Sequence, residues 1–228
     1  MSFDFTAIRE GNISYADAVR DVRTQVLEGK INYADVVRDI RLVDLRTQTE
    51  QFFDIVRSIM ADATDAAVML RPRDHEASSG PETIVEMIAA KEGRWMQSSP
   101  ETSEGVKLGW TLSQVIAHVT AILEDTMASA AMLARGAEFN GRLLYEVPWE
   151  AMTTAEQVLA RVRESRRICL ALLDAWPDQP HLETTVIRIP VIGPMGAIGL
   201  GMSGVFHGQM HLDQLREIIR QAKEAANG

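Results

Sequence analysis

Ser203-Gly-Val-Phe-His207-Gly-Gln-Met-His211-Leu-Asp-Gln-Leu-Arg-Glu-Ile-Ile219 places two histidines four residues apart near the end of a 228-residue chain. On a helix that spacing stacks both side chains on one face, about one turn apart. Leu200, Leu215 and Ile218 fall on the same face. Buried imidazoles need polar partners, so a histidine pair inside an apolar stripe calls for them. Two such rings can each give a nitrogen to one metal ion, or they can serve as hydrogen-bonding core residues.

Glycines crowd the approach to the pair, at Gly193, Gly196, Gly199, Gly201, Gly204 and Gly208. No Lys-Ser or Lys-Thr follows them, so they do not read as a phosphate loop. Gly204 and Gly208 are expected to admit a neighbouring backbone or to leave space beside the histidines. The last helix is predicted to continue to about Ala226. Thr184-Thr-Val-Ile-Arg-Ile189 is rich in β-branched residues and predicts a short strand or extended segment.

Three further long amphipathic helices precede it. One is predicted to start near Tyr33 and run to Leu70, with Leu45, Phe52, Val56, Ile59, Ala63 and Leu70 on its apolar face. Arg71-Pro72-Arg73 ends it. A second starts after Thr111 and carries Leu112, Val115, Ile116, Val119, Ile122, Leu123, Met127, Ala130 and Leu133 towards Gly136. His118 lies on the flank of that stripe and alone reads as a boundary histidine. Glu124 is expected to face solvent, and Asp125 lies about two turns from His118. A third is capped by Thr153 or Thr154, with Glu156 or Gln157 in capping-box range. Ala155, Val158, Val162, Ser165, Cys169, Leu172, Leu173 and Trp176 share its inner face, so Cys169 is read as a small core residue rather than a nucleophile. Asn140-Gly141 is a turn signal. His75 and His181 sit in polar loops and are read as solvated. Between loop signals at Ser78-Ser-Gly-Pro81 and Ser98-Ser-Pro100, residues Glu82 to Met96 predict an inserted helix.

The N-terminus repeats itself. Glu10-Gly-Asn-Ile-Ser-Tyr-Ala-Asp-Ala-Val-Arg-Asp-Val-Arg23 recurs eighteen residues on as Glu28-Gly-Lys-Ile-Asn-Tyr-Ala-Asp-Val-Val-Arg-Asp-Ile-Arg41. Each copy reads as a helix start, with Ser14 or Asn32 as N-cap and Asp17 or Asp35 facing the positive helix end. Helices are expected from Tyr15 to Leu27 and again from Tyr33. Two copies are too few for a solenoid. The repeat is read as a helical extension packed on the main domain, against a dimerisation arm or lid.

The chain is 46% hydrophobic and 24% charged, the mix of an ordinary globular protein. Its net charge of −9 disfavours nucleic acid or an anionic membrane as partner. Cys169 is the one cysteine, so no intrachain disulfide forms and a reducing, cytoplasmic setting is expected. Met1-Ser-Phe-Asp-Phe shows no secretory leader. The apolar stretch Val186 to Phe206 contains Arg188, two prolines and five glycines and reads poorly as a membrane helix.

Trp110-Thr-Leu-Ser-Gln-Val-Ile-Ala-His118 and His207-Gly-Gln-Met-His211-Leu-Asp-Gln214 resemble, in order and separation, the second- and fourth-helix signatures of the DinB-like (YfiT-type) family of metal-binding helical bundles. The resemblance covers roughly Arg41 to Ala226. It implies an all-α, up-down-down-up four-helix bundle over residues 41–228, with residues 1–40 as an N-terminal helical extension and Arg73–Gly109 as an insertion. It also implies that His118, His207 and His211 hold one divalent ion, zinc or nickel, near one end of the core.

Three neutral imidazoles leave the ion its full charge and an open position. Relatives in that family use thiols such as mycothiol or bacillithiol, or isomerise maleylpyruvate with a thiol cofactor. The expected function is therefore a metal-dependent transferase using a low-molecular-weight thiol and a small-molecule substrate. Gln214, one turn beyond His211, is expected to hydrogen-bond behind the ligands. With water in place of thiol the same site would make a hydrolase. A sequence that sets no carboxylate near the histidines favours the thiol. A non-catalytic metal- or ligand-binding module, related to stress, and a bundle with structural histidines are the competing readings. The repeat leaves a homodimer open.

Overall fold

Thr111 and Gln114 start the central helix by satisfying each other's backbone. The Thr111 N–H donates to Gln114 Oε1 at 2.9 Å, and the Gln114 N–H donates to Thr111 Oγ1 at 3.3 Å. The computed structural model describes residues 21, 22, 25, 26, 28–72, 109–139, 141–190 and 192–227. In chain order the helices are α1 (Tyr33–Val37), α2 (Leu42–Met60), α3 (Asp65–Val68), α4 (Leu112–Ala134), α5 (Ala155–Asp174), α6 (Ala197–Met210) and α7 (Leu212–Asn227). A two-stranded antiparallel sheet, β1 (Thr185–Ile187) and β2 (Pro194–Gly196), precedes α6 and pairs Val186 with Met195. Among the described residues the fold is all-α but for this hairpin and a 3-10 turn at Trp149–Ala151. Ser14, Asp17, His75, Asn140 and the expected Glu82–Met96 helix lie outside the described residues. So does the expected Tyr15–Leu27 helix, apart from Asp21, Val22, Gln25 and Val26, which are helical.

Helix α4 is enclosed on nearly every side. It packs against α5 and α6, while α2 packs against α5 and α6 in turn. Leu112, Val115, Leu123, Met127 and Ala130 of α4 are wholly buried. Among the described residues α4 alone is long and apolar enough to cross a membrane, but its apolar stretch is 78% buried within the protein, as for a core helix. It stops at Gly136 (φ 77°), where the Gly136 N–H reaches Leu133 O and the Ala137 N–H reaches Met132 O. That is a Schellman closure, which needs the left-handed conformation glycine allows.

Two predicted helices are broken. The helix expected from Tyr33 to Leu70 is three pieces. Arg41 is extended, and its N–H donates to Asp44 Oδ2 at 3.0 Å, so Asp44 caps a new start at Leu42. At Thr64 the chain is extended again, and Asp65 Oδ1 accepts the Ala155 N–H at 2.8 Å, capping α5 from another part of the chain. The final helix divides at His211, whose N–H bonds Gly208 O at 3.1 Å while its carbonyl accepts the Leu215 N–H at 3.0 Å. No glycine or proline marks these breaks, so apolar periodicity ran through them. Tyr33, Val36 and Ile40 of the second repeat copy are buried in the common core, and the Tyr33 hydroxyl donates to Gly199 O at 2.8 Å.

Glu124 does not face solvent. It is 6% exposed and pairs with Arg161, whose Nε also donates to Thr120 Oγ1 at 3.1 Å. An enclosed helix has no solvent face, so its charges must be paired inside. Asp213 is exposed and pairs with Arg216 at 2.7 Å. His181 is exposed beside Glu183. Cys169 is buried, and burial pushes its thiol up.

The glycines of α6 seat side chains rather than a neighbouring backbone. A methyl group at Gly208 would meet Phe52 Cζ at 2.7 Å, and one at Gly204 would overlap Thr126 Oγ1. Gly204→Ala is therefore expected to cost ~1–3 kcal/mol by overpacking, and Gly204→Ala/Thr126→Ala to recover part of it, measured by urea unfolding. Cys169 is expected to resist iodoacetamide in the native state near pH ~8 and to alkylate fully in urea, read by intact-mass spectrometry.

Candidate metal centre

Close seating of α6 on α4 brings His207 and His211 to His118. His118 Nε2 lies 3.0 Å from His207 Nε2, and His211 Nε2 lies 3.3 Å from the same atom. One ligand nitrogen from each ring falls within a group no wider than 4.8 Å. Nitrogens about 2.0–2.1 Å from a tetrahedral ion stand roughly 3.3 Å apart, so the observed spacing suits three ligands of one ion. The break at His211 does not separate the pair, because His211 keeps helical dihedrals as the C-cap of α6.

The outer nitrogens decide which face of each ring is free to bind. His118 Nδ1 lies 2.9 Å from Glu146 Oε1, and His211 Nδ1 lies 2.8 Å from Gln214 Oε1. An ionised carboxylate accepts only, and so does an amide oxygen. In the neutral rings Nδ1 therefore donates, and Nε2 presents its lone pair to the centre. His207 Nε2 lies within reach of both, 3.0 and 3.3 Å away, and without its proton it adds a third lone pair to the same centre. The C-terminal end of α6 adds the negative end of its dipole on the same side.

Exposure is graded across the site. His211 is fully buried, His207 is half-buried, and the His118 side chain is 16% exposed. Trp110 packs edge-on against His118, with ring centroids 5.0 Å apart and planes at 77°. The tryptophan eight residues before His118 is thus a wall of the site.

His118, His207, His211 and Gln214 are brought together as the sequence reading placed them. Asp125 is not part of the cluster. It is 1% exposed, and its Oδ1 accepts the Leu143 and Leu144 N–H groups at 2.6 and 3.0 Å while its Oδ2 takes Arg188.

The sequence reading missed Glu146 and expected no carboxylate near the histidines. Glu146 arrives on a loop 28 residues after His118, and only its position after the Asn140-Gly141 turn signal in the sequence hints that the loop doubles back. The His118 hydrogen bond holds the Glu146 carboxyl below its usual range, against burial, which raises it, with Arg142 adding a smaller lowering effect.

No curated protein and no solved structure gives a match to the chain. The family model described as the DinB superfamily matches residues 48–215, a span that holds all three histidines, and the chain belongs to that superfamily.

Proposed function

We propose that the protein is a metal-dependent enzyme, a transferase that uses a low-molecular-weight thiol at a divalent ion held by His118, His207 and His211. In this reading α2, α4, α5 and the α6–α7 pair are the four members of an up-down-down-up bundle over residues 41–228, and residues 1–40 are an extension. One observation carries the metal reading. Three ring nitrogens converge at ligand spacing, and two of the rings have their other nitrogen bound to an acceptor.

Zinc or nickel suits three imidazoles. His118, His207 and His211 would hold the divalent ion, whose chemistry there would be to lower the pKa of a bound thiol so that thiolate is available at neutral pH. The chain's own groups do the rest. Gln214 orients His211, and Trp110 covers one flank of His118 and limits water there. Glu146 engages the far nitrogen of His118, so it is badly placed to act as base toward a water on the Nε2 side. That placement supports thiol transfer over hydrolysis. The thiol proton would leave to solvent, and the sulfur would form its new bond to the carbon of a small electrophilic substrate as that carbon's bond to a leaving group breaks, the leaving group departing with the bonding electron pair. The acidic chain favours such a substrate over nucleic acid or membrane in a cytoplasmic setting, and the N-terminal repeat leaves a homodimer open.

Elemental analysis of protein purified without a histidine tag tests the metal reading. Wild type is expected to hold about one zinc or nickel per chain, and His118→Ala, His207→Ala and His211→Ala are each expected to lose it while staying folded. Thiol-dependent turnover of an electrophile panel should vanish with the metal. A folded wild type that takes up no zinc, nickel or manganese sinks the reading. Metal without thiol-dependent turnover points to a binding module.

A further inference from the structure

We propose that Glu146 is a positioning residue for the histidine site: it sets the tautomer and orientation of His118, and Asp125 with Arg188 holds the loop that delivers it. The role in metal binding rests on the reading of His118, His207 and His211 as ligands. The hold on the ring does not.

The two rings with identified Nδ1 partners are held differently. His211 is held locally, by Gln214 three residues on. His118 is held by a residue 28 positions away, on a stretch without helix or strand. A loop with no ladder needs its own anchor to place a carboxylate at 2.9 Å. Asp125 is that anchor. Its Oδ1 takes the Leu143 and Leu144 N–H groups, three and two residues before Glu146. Its Oδ2 takes Arg188, which also donates to Ser129 Oγ at 2.9 Å. Arg142 closes the loop on itself, its Nε donating to Leu144 O at 2.8 Å.

Asp125 and His118 stand two turns apart on α4, near the same face. One rigid helix therefore carries both the histidine and the tether of that histidine's partner. Burying the Asp125 carboxylate is costly in itself, and three donors meet it here. Beside a divalent ion, the Glu146 carboxylate would also add a negative charge and raise the basicity of His118, which the Gln214 amide does not do for His211. Loss of such a partner typically weakens metal binding by about 10–100-fold.

The test uses the full chain without a tag and two readouts. Zinc affinity is measured by competition with a chromophoric chelator, and the ring tautomer of His118 by imidazole nitrogen NMR of the metal-free protein. Wild type should show His118 protonated at Nδ1. Glu146→Ala should lose that preference and bind zinc about 10–100-fold more weakly. Glu146→Gln keeps an acceptor oxygen and should restore the tautomer and part of the affinity. Glu138→Ala, exposed on the same connection between α4 and α5, should change neither. Asp125→Asn should weaken zinc without touching a histidine.

Should wild type bind zinc through the histidines while Glu146→Ala binds as tightly, with His118 in the same tautomer, the positioning role is overturned and the ligand reading stands. An equal loss in Glu138→Ala overturns it too. Should wild type bind no zinc, the ligand reading fails, and the tautomer comparison still decides whether Glu146 sets the ring.

Discussion

How closely α6 lies on α4 governs the rest of this structure. The two helices meet where Gly204 leaves room for Thr126, and one turn later Gly208 leaves room for the ring of Phe52 on α2. Larger residues at those positions would push α6 away by about the width of a methyl group. His207 Nε2, 3.0 and 3.3 Å from the ring nitrogens of His118 and His211, tolerates no such shift. Packing of small against large side chains, which is indifferent to chemistry, therefore sets the one distance on which the proposed chemistry depends.

Enclosing α4 has a second consequence. A helix buried all round cannot put its charges in water, yet Glu124 and Asp125 both lie on it. Each is met by an arginine from elsewhere in the chain, Arg161 of α5 and Arg188 just beyond β1. Such pairs add little net stability once desolvation is counted, but losing one partner is severe. They act as register marks. Arg161 aligns α5 on α4, and Arg188 ties the hairpin to α4 while Asp125 holds the loop beneath the histidines. The interior is thus organised by ion pairs as well as by apolar fit.

Much of this was legible along the chain. Thr111 caps α4 as read, its box with Gln114 emerging only in the structure, and Thr154 with Gln157 is the one of the open capping pairs that forms. Gly136 ends α4, and the histidine pair at four-residue spacing converges on one point. The breaks at Arg41, Thr64 and His211 were not legible. Asp44 and Asp65 look like ordinary polar-face residues until one sees which N–H each accepts. Glu124 was misread for a related reason: a hydrophobic stripe shows where a helix is most apolar but not how many neighbours cover its other side.

Sequence alone determined the pieces whose forces act within a few residues: the start of α4 after Thr111 and its stop at Gly136, the apolar faces, the histidine spacing and the partnership of His211 with Gln214. Tertiary structure decided what depends on contacts far apart in the chain: the joining of His118 to the other two histidines, the arrival of Glu146 from 28 residues away, and the pairing of Glu124 and Asp125 with their arginines. Local periodicity carries the first kind of information because a helix repeats its own geometry every turn. It cannot carry the second, because which face meets which is chosen by the volume and charge of the whole core.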